Sequence, residues 1–379
     1  MVARATDEGH RASTPLELLF DLCFVVAVAQ AGLRLHHALL EDEIAHGVGR
    51  YLMIFFAIWW AWVNFSWFAS AYDTDDVPYR VATLVQITGA LVLAAGVPRA
   101  FDDNDFTVVV IGYVIMRLSL VAQWLRASVT DPEHRGTTLR FAAGVTVVQI
   151  AWVVRLWLPD SWGLAGFLVL VLAELLVPVL AERAGGTTWH PGHIAERYGL
   201  FTLIVLGESI LAASTAVQTA FDAGAHRGTL LSLAAAGLVI VFGMWWLYFD
   251  TPGHEVLANA SNGFVWGYGH YLIFGAAAAV GTGIAANVDV DLHAGHLSGR
   301  AAGYAVAVPV GVYLASLWLL HRRPGWRDVR AWALTLGALA TLAAPLLPGG
   351  IAVIAAIVAV LVIVKTVAGR AELSEAPDS

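Results

Sequence analysis

The chain has 379 residues, 59% of them hydrophobic and only 13% charged, with a net charge of -8. Soluble domains carry about 25% charged residues, so the composition excludes a water-soluble globular protein and points to a polytopic membrane protein. The acidic balance lies in the connecting loops and argues against nucleic acid as a partner.

Residues 1–14 are polar, and the apolar run that follows is too long for a signal peptide and lacks a small-residue cleavage site. Apolar segments of spanning length fall at about 16–36, 51–71, 80–98, 106–125, 139–158, 162–181, 197–217, 229–249, 266–286, 301–320, 331–347 and 350–367. Twelve helices are therefore predicted. With the N-terminus inside, fourteen basic residues fall on the cytoplasmic side and six outside, with Arg117 in mid-helix. Both termini are then cytoplasmic. The single Cys23 allows no intramolecular disulfide.

The halves echo each other. Glu17 opens the first helix and Glu196 the seventh; Trp59-Trp60 lies late in the second and Trp245-Trp246 late in the eighth. Gly112-Tyr113 and Gly303-Tyr304 open the fourth and tenth, and Leu139-Arg140 and Val329-Arg330 the fifth and eleventh. These correspondences predict two parallel six-helix repeats, a design many transporters use. The expected organisation is a tail at 1–15, a first half at 16–181, a linker at 182–196, a second half at 197–367 and a tail at 368–379.

Polar residues at membrane depth are few. Glu17 and Asp21 sit in the first apolar run, four apart and so on one helix face. A carboxylate there costs on the order of 2.5–3.5 kcal/mol on insertion scales, so it should face protein or water rather than lipid. Asn64 and Arg117 follow on the second and fourth helices. An unpaired guanidinium near mid-bilayer is improbable, and Glu208, Asp21 and Glu174 are its candidate partners, in that order. On the seventh helix Arg197, Phe201, Ile204 and Glu208 share a face, Gly207 offers close helix approach, and Ser209 is adjacent. Glu196 and Arg197 read equally well as an interfacial cap and a snorkelling side chain. Glu208 is the leading functional residue.

Asp73, Asp75 and Asp76, followed by Arg80, join the second and third helices. Three carboxylates can hold a hard cation, but a solvated turn with Asp75 or Asp76 capping the helix at Pro78 is the commoner outcome. Asp289, Asp291, His293 and His296 form a weaker cluster of the same kind. No metal, cofactor or catalytic residue is expected. The 15 tryptophans are read mainly as belt and packing residues.

Glu17-Leu18-Leu19-Phe20-Asp21-Leu22-Cys23-Phe24-Val25, Asp73 to Arg80, and Glu196-Arg197-Tyr198-Gly199-Leu200-Phe201 through Leu206-Gly207-Glu208-Ser209-Ile210 resemble the bacterial low temperature requirement protein A family. Ala71-Tyr72 stands where that family often has Asn-Arg. The resemblance implies a polytopic membrane protein linked to growth at low temperature, with no reaction or substrate attached.

The resulting expectation is an all-α integral membrane protein of the bacterial inner (plasma) membrane, and not an enzyme. It is read as a transporter or channel for a small solute or ion, with Glu17, Asp21, Arg117, Glu208, Ser209 and Asn64 forming the site. The alternative is a non-transporting stress-adaptation or sensor protein whose buried ion pairs are structural. A lipid-acting enzyme holding a metal at Asp73–Asp76 ranks last. The lipid bilayer is the obligate partner, and homo-oligomerisation is left open.

Overall fold

The computed structural model describes every residue except 2, 5–11, 73, 223–226, 259–262, 294, 321–328 and 376–379, and leaves out the side chains of 160, 216, 220, 329–331 and 369–375. It is 87% helical with no strand among the described residues. The helices are α1 (Pro15–Leu40), α2 (Ile44–Ala71), α3 (Val77–Asp102), α4 (Thr107–Thr130), α5 (Arg135–Arg155), α6 (Gly163–Glu182) and α7 (Pro191–Asp222). They continue as α8 (Arg227–Phe249), α9 (Gly253–Ala258), α10 (Gly263–Asp291), α11 (Gly299–Leu320), α12 (Val329–Ala343) and α13 (Gly350–Glu375).

Eleven of these are long and apolar enough to cross a membrane. The twelfth predicted span falls on α12, which is present but has only 15 residues and runs into a 3-10 turn at Ala344–Leu346 containing Pro345. At 1.5 Å per residue it reaches about 22 Å, short of the ~30 Å hydrocarbon core. Most helices extend beyond their apolar stretch. α7 gains the most, starting at Pro191 rather than near Arg197, so His193 and Glu196 lie on a helix and not in a linker.

The chain folds into two compact units, Met1–Ala31 with Ile54–Arg197, and Gly32–Met53 with Tyr198–Ser379. In the first, α3 to α6 pack each on the next, as short connections between helices favour. α3 and α4 approach backbone to backbone: a Cβ at Gly112 would lie 2.5 Å from the Leu93 nitrogen. The core is aromatic, with Phe20 and Phe24 from α1 and Phe55, Trp59, Trp60, Trp62, Phe65 and Phe68 from α2 fully buried. The environment is inverted relative to a soluble protein. On α4, Arg117 is 3% exposed while its neighbour Leu118 is 63% exposed.

In the second unit α10 packs on α8 and α11, α11 on α12, α12 on α13, and α13 on α8. Small residues make this possible; a Cβ at Gly283 would lie 2.3 Å from the Ala305 carbonyl oxygen. An apolar cavity of about 520 Å³ is lined by side chains such as Leu39, Tyr51, Tyr271, Leu272 and Val308. The Tyr51 hydroxyl donates to the Gly275 carbonyl (2.7 Å) and the Tyr271 hydroxyl to Leu52 (2.8 Å). With these hydroxyls engaged, the cavity offers no ionised group to a charged solute.

Candidate functional site

The first unit contains two buried charge clusters. Thr14 and Glu17 start α1 as a reciprocal cap. The Glu17 N–H donates to Thr14 Oγ1 (3.2 Å), and the Thr14 N–H donates to Glu17 Oε2 (2.6 Å), with Pro15 at the first helical position. Glu17 thus belongs to the first turn, with its other oxygen, Oε1, 3.5 Å from His193 Nε2 and 3.8 Å from Arg197 Nη1.

One turn deeper, Asp21 has no exposed surface. It is gripped by both nitrogens of a guanidinium fork, Arg197 Nε to Oδ2 (2.9 Å) and Nη2 to Oδ1, and Oδ1 also accepts from Trp62 Nε1 (2.7 Å). Arg197 is fully buried, with its guanidinium 5.6 Å from the centre of the Phe65 ring. The interfacial, snorkelling reading of Arg197 is therefore corrected. Because α7 begins two turns earlier than hydropathy suggests, Arg197 sits inside the unit.

The second cluster answers which carboxylate meets Arg117. It is Glu174 on α6, with Nη2 2.9 Å from Oε2, and neither Glu208 nor Asp21. Arg117 also donates to Asn64 Oδ1 (3.0 Å) and to the Tyr113 hydroxyl (3.3 Å). Glu174 accepts from Trp60 Nε1 (2.8 Å) and Trp152 Nε1 (3.1 Å). Asn64 is held in turn by its Nδ2 donating to the Trp60 carbonyl (2.7 Å). Four helices contribute to a cluster in which one negative charge meets one positive charge and both carboxylate oxygens have donors.

Trp60 and Trp62 lie two residues apart on α2, about 200° around the helix, so their indoles leave on different sides. One serves Glu174 and the other Asp21. The reading of the tryptophans mainly as belt and packing residues missed this donor role. The signal was a run of indoles on the helix beside the acid-bearing one, since a buried Trp N–H ordinarily finds an acceptor.

In the second unit Glu208 is half-buried and, among the described residues, has no hydrogen-bond or ionic partner. Ser209 is buried and donates to the Ala277 carbonyl (3.0 Å), fastening α7 to α10. Gly207 does not mediate close approach, because a Cβ there would meet nothing within 4 Å among the described residues. The tryptophan pairs of the expected repeat have different surroundings: Trp59 and Trp60 are buried, whereas Trp245 and Trp246 are 43% and 45% exposed.

The loop acids are engaged by arginines. Asp75 receives a bidentate fork from Arg80 (2.7 and 2.6 Å) on the surface. Asp76 caps α3 by accepting from the Tyr79 N–H (3.0 Å) and pairs with Arg126 through both oxygens. That fork, and secondarily the cap, lowers the Asp76 carboxyl to about 2. Asp73 lies outside the described residues. Of the weaker cluster, Asp289 is 2.8 Å from His36 Nε2.

Buried ion pairs joining helices whose outer faces carry exposed leucine and valine define a polytopic helical membrane protein. The chain belongs to the bacterial low temperature requirement A protein family, whose profile matches residues 12–368 and so encloses both clusters and Glu208. It is 28% identical over 283 residues to a protein of Rhizobium meliloti (strain 1021) described as uncharacterized; the match covers 70% of this chain and 66% of that protein, just under two thirds of its length.

Proposed function

We propose that this chain is a non-enzymatic transporter for a small ion or solute in the bacterial plasma membrane, both termini cytoplasmic, with its polar site at Asp21, Glu17 and Arg197. The observation that supports this reading is the contrast between the two clusters. Around Arg117 charge and hydrogen bonds balance, as a structural lock requires. Around Arg197 two carboxylates face one guanidinium, and Arg197 Nη1 has no hydrogen-bond partner among the described residues. A buried guanidinium nitrogen without an acceptor is costly, and ionisable groups inside membrane helices mark ion pathways and relays. The site offers a carboxylate whose pairing can change when a cation or proton arrives, which can shift a conformational equilibrium by differential binding.

The test is flux into proteoliposomes across a panel of small ions and solutes. The parent protein should show a flux that a folded Asp21→Asn protein lacks, the variant's thermal midpoint falling because Arg197 loses its buried partner. A folded parent that moves nothing in the panel, or a folded Asp21→Asn protein with parental flux, ends the transport reading. The second reading, a membrane scaffold, draws support from the balanced Arg117–Glu174 cluster. It wins if substitutions in both clusters change only stability.

A further inference from the structure

The apolar cavity of the second unit lies apart from the polar clusters and has no part in the transport reading. Its walls come from the end of α1 (Leu35, Leu39), the start of α2 (Ile44 to Leu52), α10 (Tyr271 to Ala279) and α11 (Ala301 to Val312). All four are helices long and apolar enough to cross a membrane. The space exists because α10 and α11 present Gly275, Ala276, Ala279 and Ala305 to it, where larger side chains would fill it. It is also braced. The Tyr51 hydroxyl donates to the Gly275 carbonyl of α10, and the Tyr271 hydroxyl donates back to the Leu52 carbonyl of α2. These bonds tie the two helices in both directions, and a collapse of the walls would break them at a cost.

We propose that this cavity holds one acyl chain of a bilayer phospholipid. Chemistry, size, depth and access all support that occupant. Among the described lining side chains the only polar atoms are the hydroxyls of Tyr51, Tyr271 and Tyr304. Two of these donate to backbone carbonyls, and the third lies near the start of α11, where tyrosines meet a membrane surface. Water needs about two to four polar partners to settle in a cavity, and no donor is left deep inside for a carboxylate or a quinone ring. Hydrocarbon is what these walls accept. A dry apolar cavity of ~150 Å³ takes up benzene; at the same filling, 520 Å³ takes a hydrocarbon of roughly twenty carbons. Along α11 the lining runs from Ala301 to Val312, about 17 Å at 1.5 Å per residue, close to the ~15 Å of one leaflet of the hydrocarbon core. The inner wall is closed, with Leu35, Leu39, Tyr51, Ala276 and Ala279 buried, whereas Leu52, Leu272 and Val308 are exposed. The cavity therefore opens sideways and is continuous with the lipid-facing surface of the helices. A chain of the leaflet on the side of the α1–α2 connection enters it without crossing water. Left empty, the walls would forfeit their dispersion contacts on that side.

The experiment uses the full chain in phosphatidylcholine vesicles containing a trace of phosphatidylcholine with a mid-chain diazirine. After irradiation, crosslinks are mapped by peptide mass spectrometry. Label should appear on the buried wall, at Leu35, Ala276 or Ala279, as well as on exposed lipid-facing residues such as Leu33. Ala305→Phe places a ring in the cavity and should lose the buried-wall label while keeping that at Leu33. If Ala305→Phe does not fold, Val308→Trp, which obstructs the exposed mouth, decides in the same way. The proposal is overturned if the parent carries label on exposed residues alone, or if the folded variant keeps the buried-wall label. A parent that is dimeric, with an unlabelled wall and a monomeric Ala305→Phe variant, assigns the cavity to a second copy and also overturns it. None of these outcomes bears on flux, so the lipid site and the transport reading stand or fall separately.

Discussion

Replacing Glu174 by Gln keeps the shape of the side chain and one acceptor oxygen while removing the only carboxylate bonded to Arg117 among the described residues. Arg117, 3% exposed, retains Asn64 and Tyr113 as acceptors, but its charge is left uncompensated. Removing one partner of a buried pair costs about 3–5 kcal/mol. In a unit of this size each kcal/mol is worth roughly 2–4 °C, so the thermal midpoint should fall on the order of 10 °C. Trp60 and Trp152 donate to the lost carboxylate, which makes indole emission in detergent, scanned at one fixed rate, a direct probe. Adding Arg117→Gln should recover more than half of the loss. The double variant has no buried charge in this cluster and resembles the amide pair already present in this unit, Gln86 Nε2 to Gln123 Oε1 at 3.1 Å. A fall below ~2 °C for the single variant, or a double variant as unstable as the single, would refute the assignment of this cluster as a balanced lock.

Three further outcomes follow from the same geometry. Thr14→Ala removes half of the reciprocal cap and should cost about 1 kcal/mol, readable as earlier hydrogen exchange at the start of α1; unchanged protection would argue that the cap does not hold this turn. The depressed Asp76 carboxyl stabilises the fold above the ordinary carboxylate range, near 3.9, and this contribution is lost as pH falls through about 2. Arg126→Ala should therefore move that acid loss upward towards the ordinary range, seen as a higher pH for the fluorescence change; an unmoved acid limb would deny the fork its role. Glu208→Gln breaks no described bond and should leave the thermal midpoint unchanged, whereas a drop of several degrees would reveal a partner for Glu208.

Much of the fold was legible because apolar length is an unambiguous signal: every predicted span has its helix, and only the Pro345-bounded α12 falls short of spanning length. The burial cost of Arg117 marked it as needing a carboxylate partner, and that of Asp21 as facing protein or water rather than lipid. What hydropathy could not read was the start of α7. His190 to Glu196 is polar enough to pass for a loop, yet it forms the turns that carry His193 and Arg197 inward. Placing the helix start at Arg197 made that arginine interfacial and left Asp21 without its counter-charge. The choice of Glu174 for Arg117 depends on three-dimensional packing of α4, α5 and α6, which a list of three candidate acids does not contain. The Thr14 to Glu17 cap carries a Thr-x-x-Glu signal before an apolar run that goes unread when Glu17 is read as a membrane-depth acid instead.

The two clusters use the same chemistry to different ends, and the difference lies in counting. Around Arg117, a single carboxylate receives one guanidinium nitrogen and two indoles, and the remaining guanidinium donors find an amide and a phenol. Any rearrangement there loses bonds without making others. Around Arg197, Asp21 is equally well held, so the guanidinium is already positioned when Glu17 and His193 meet at 3.5 Å without a bond. Asp21 fixes the cation, which stands 3.8 Å from Glu17. That carboxylate is also tied to the first turn of α1 through Thr14, so a change in its pairing acts on the end of a membrane-spanning helix.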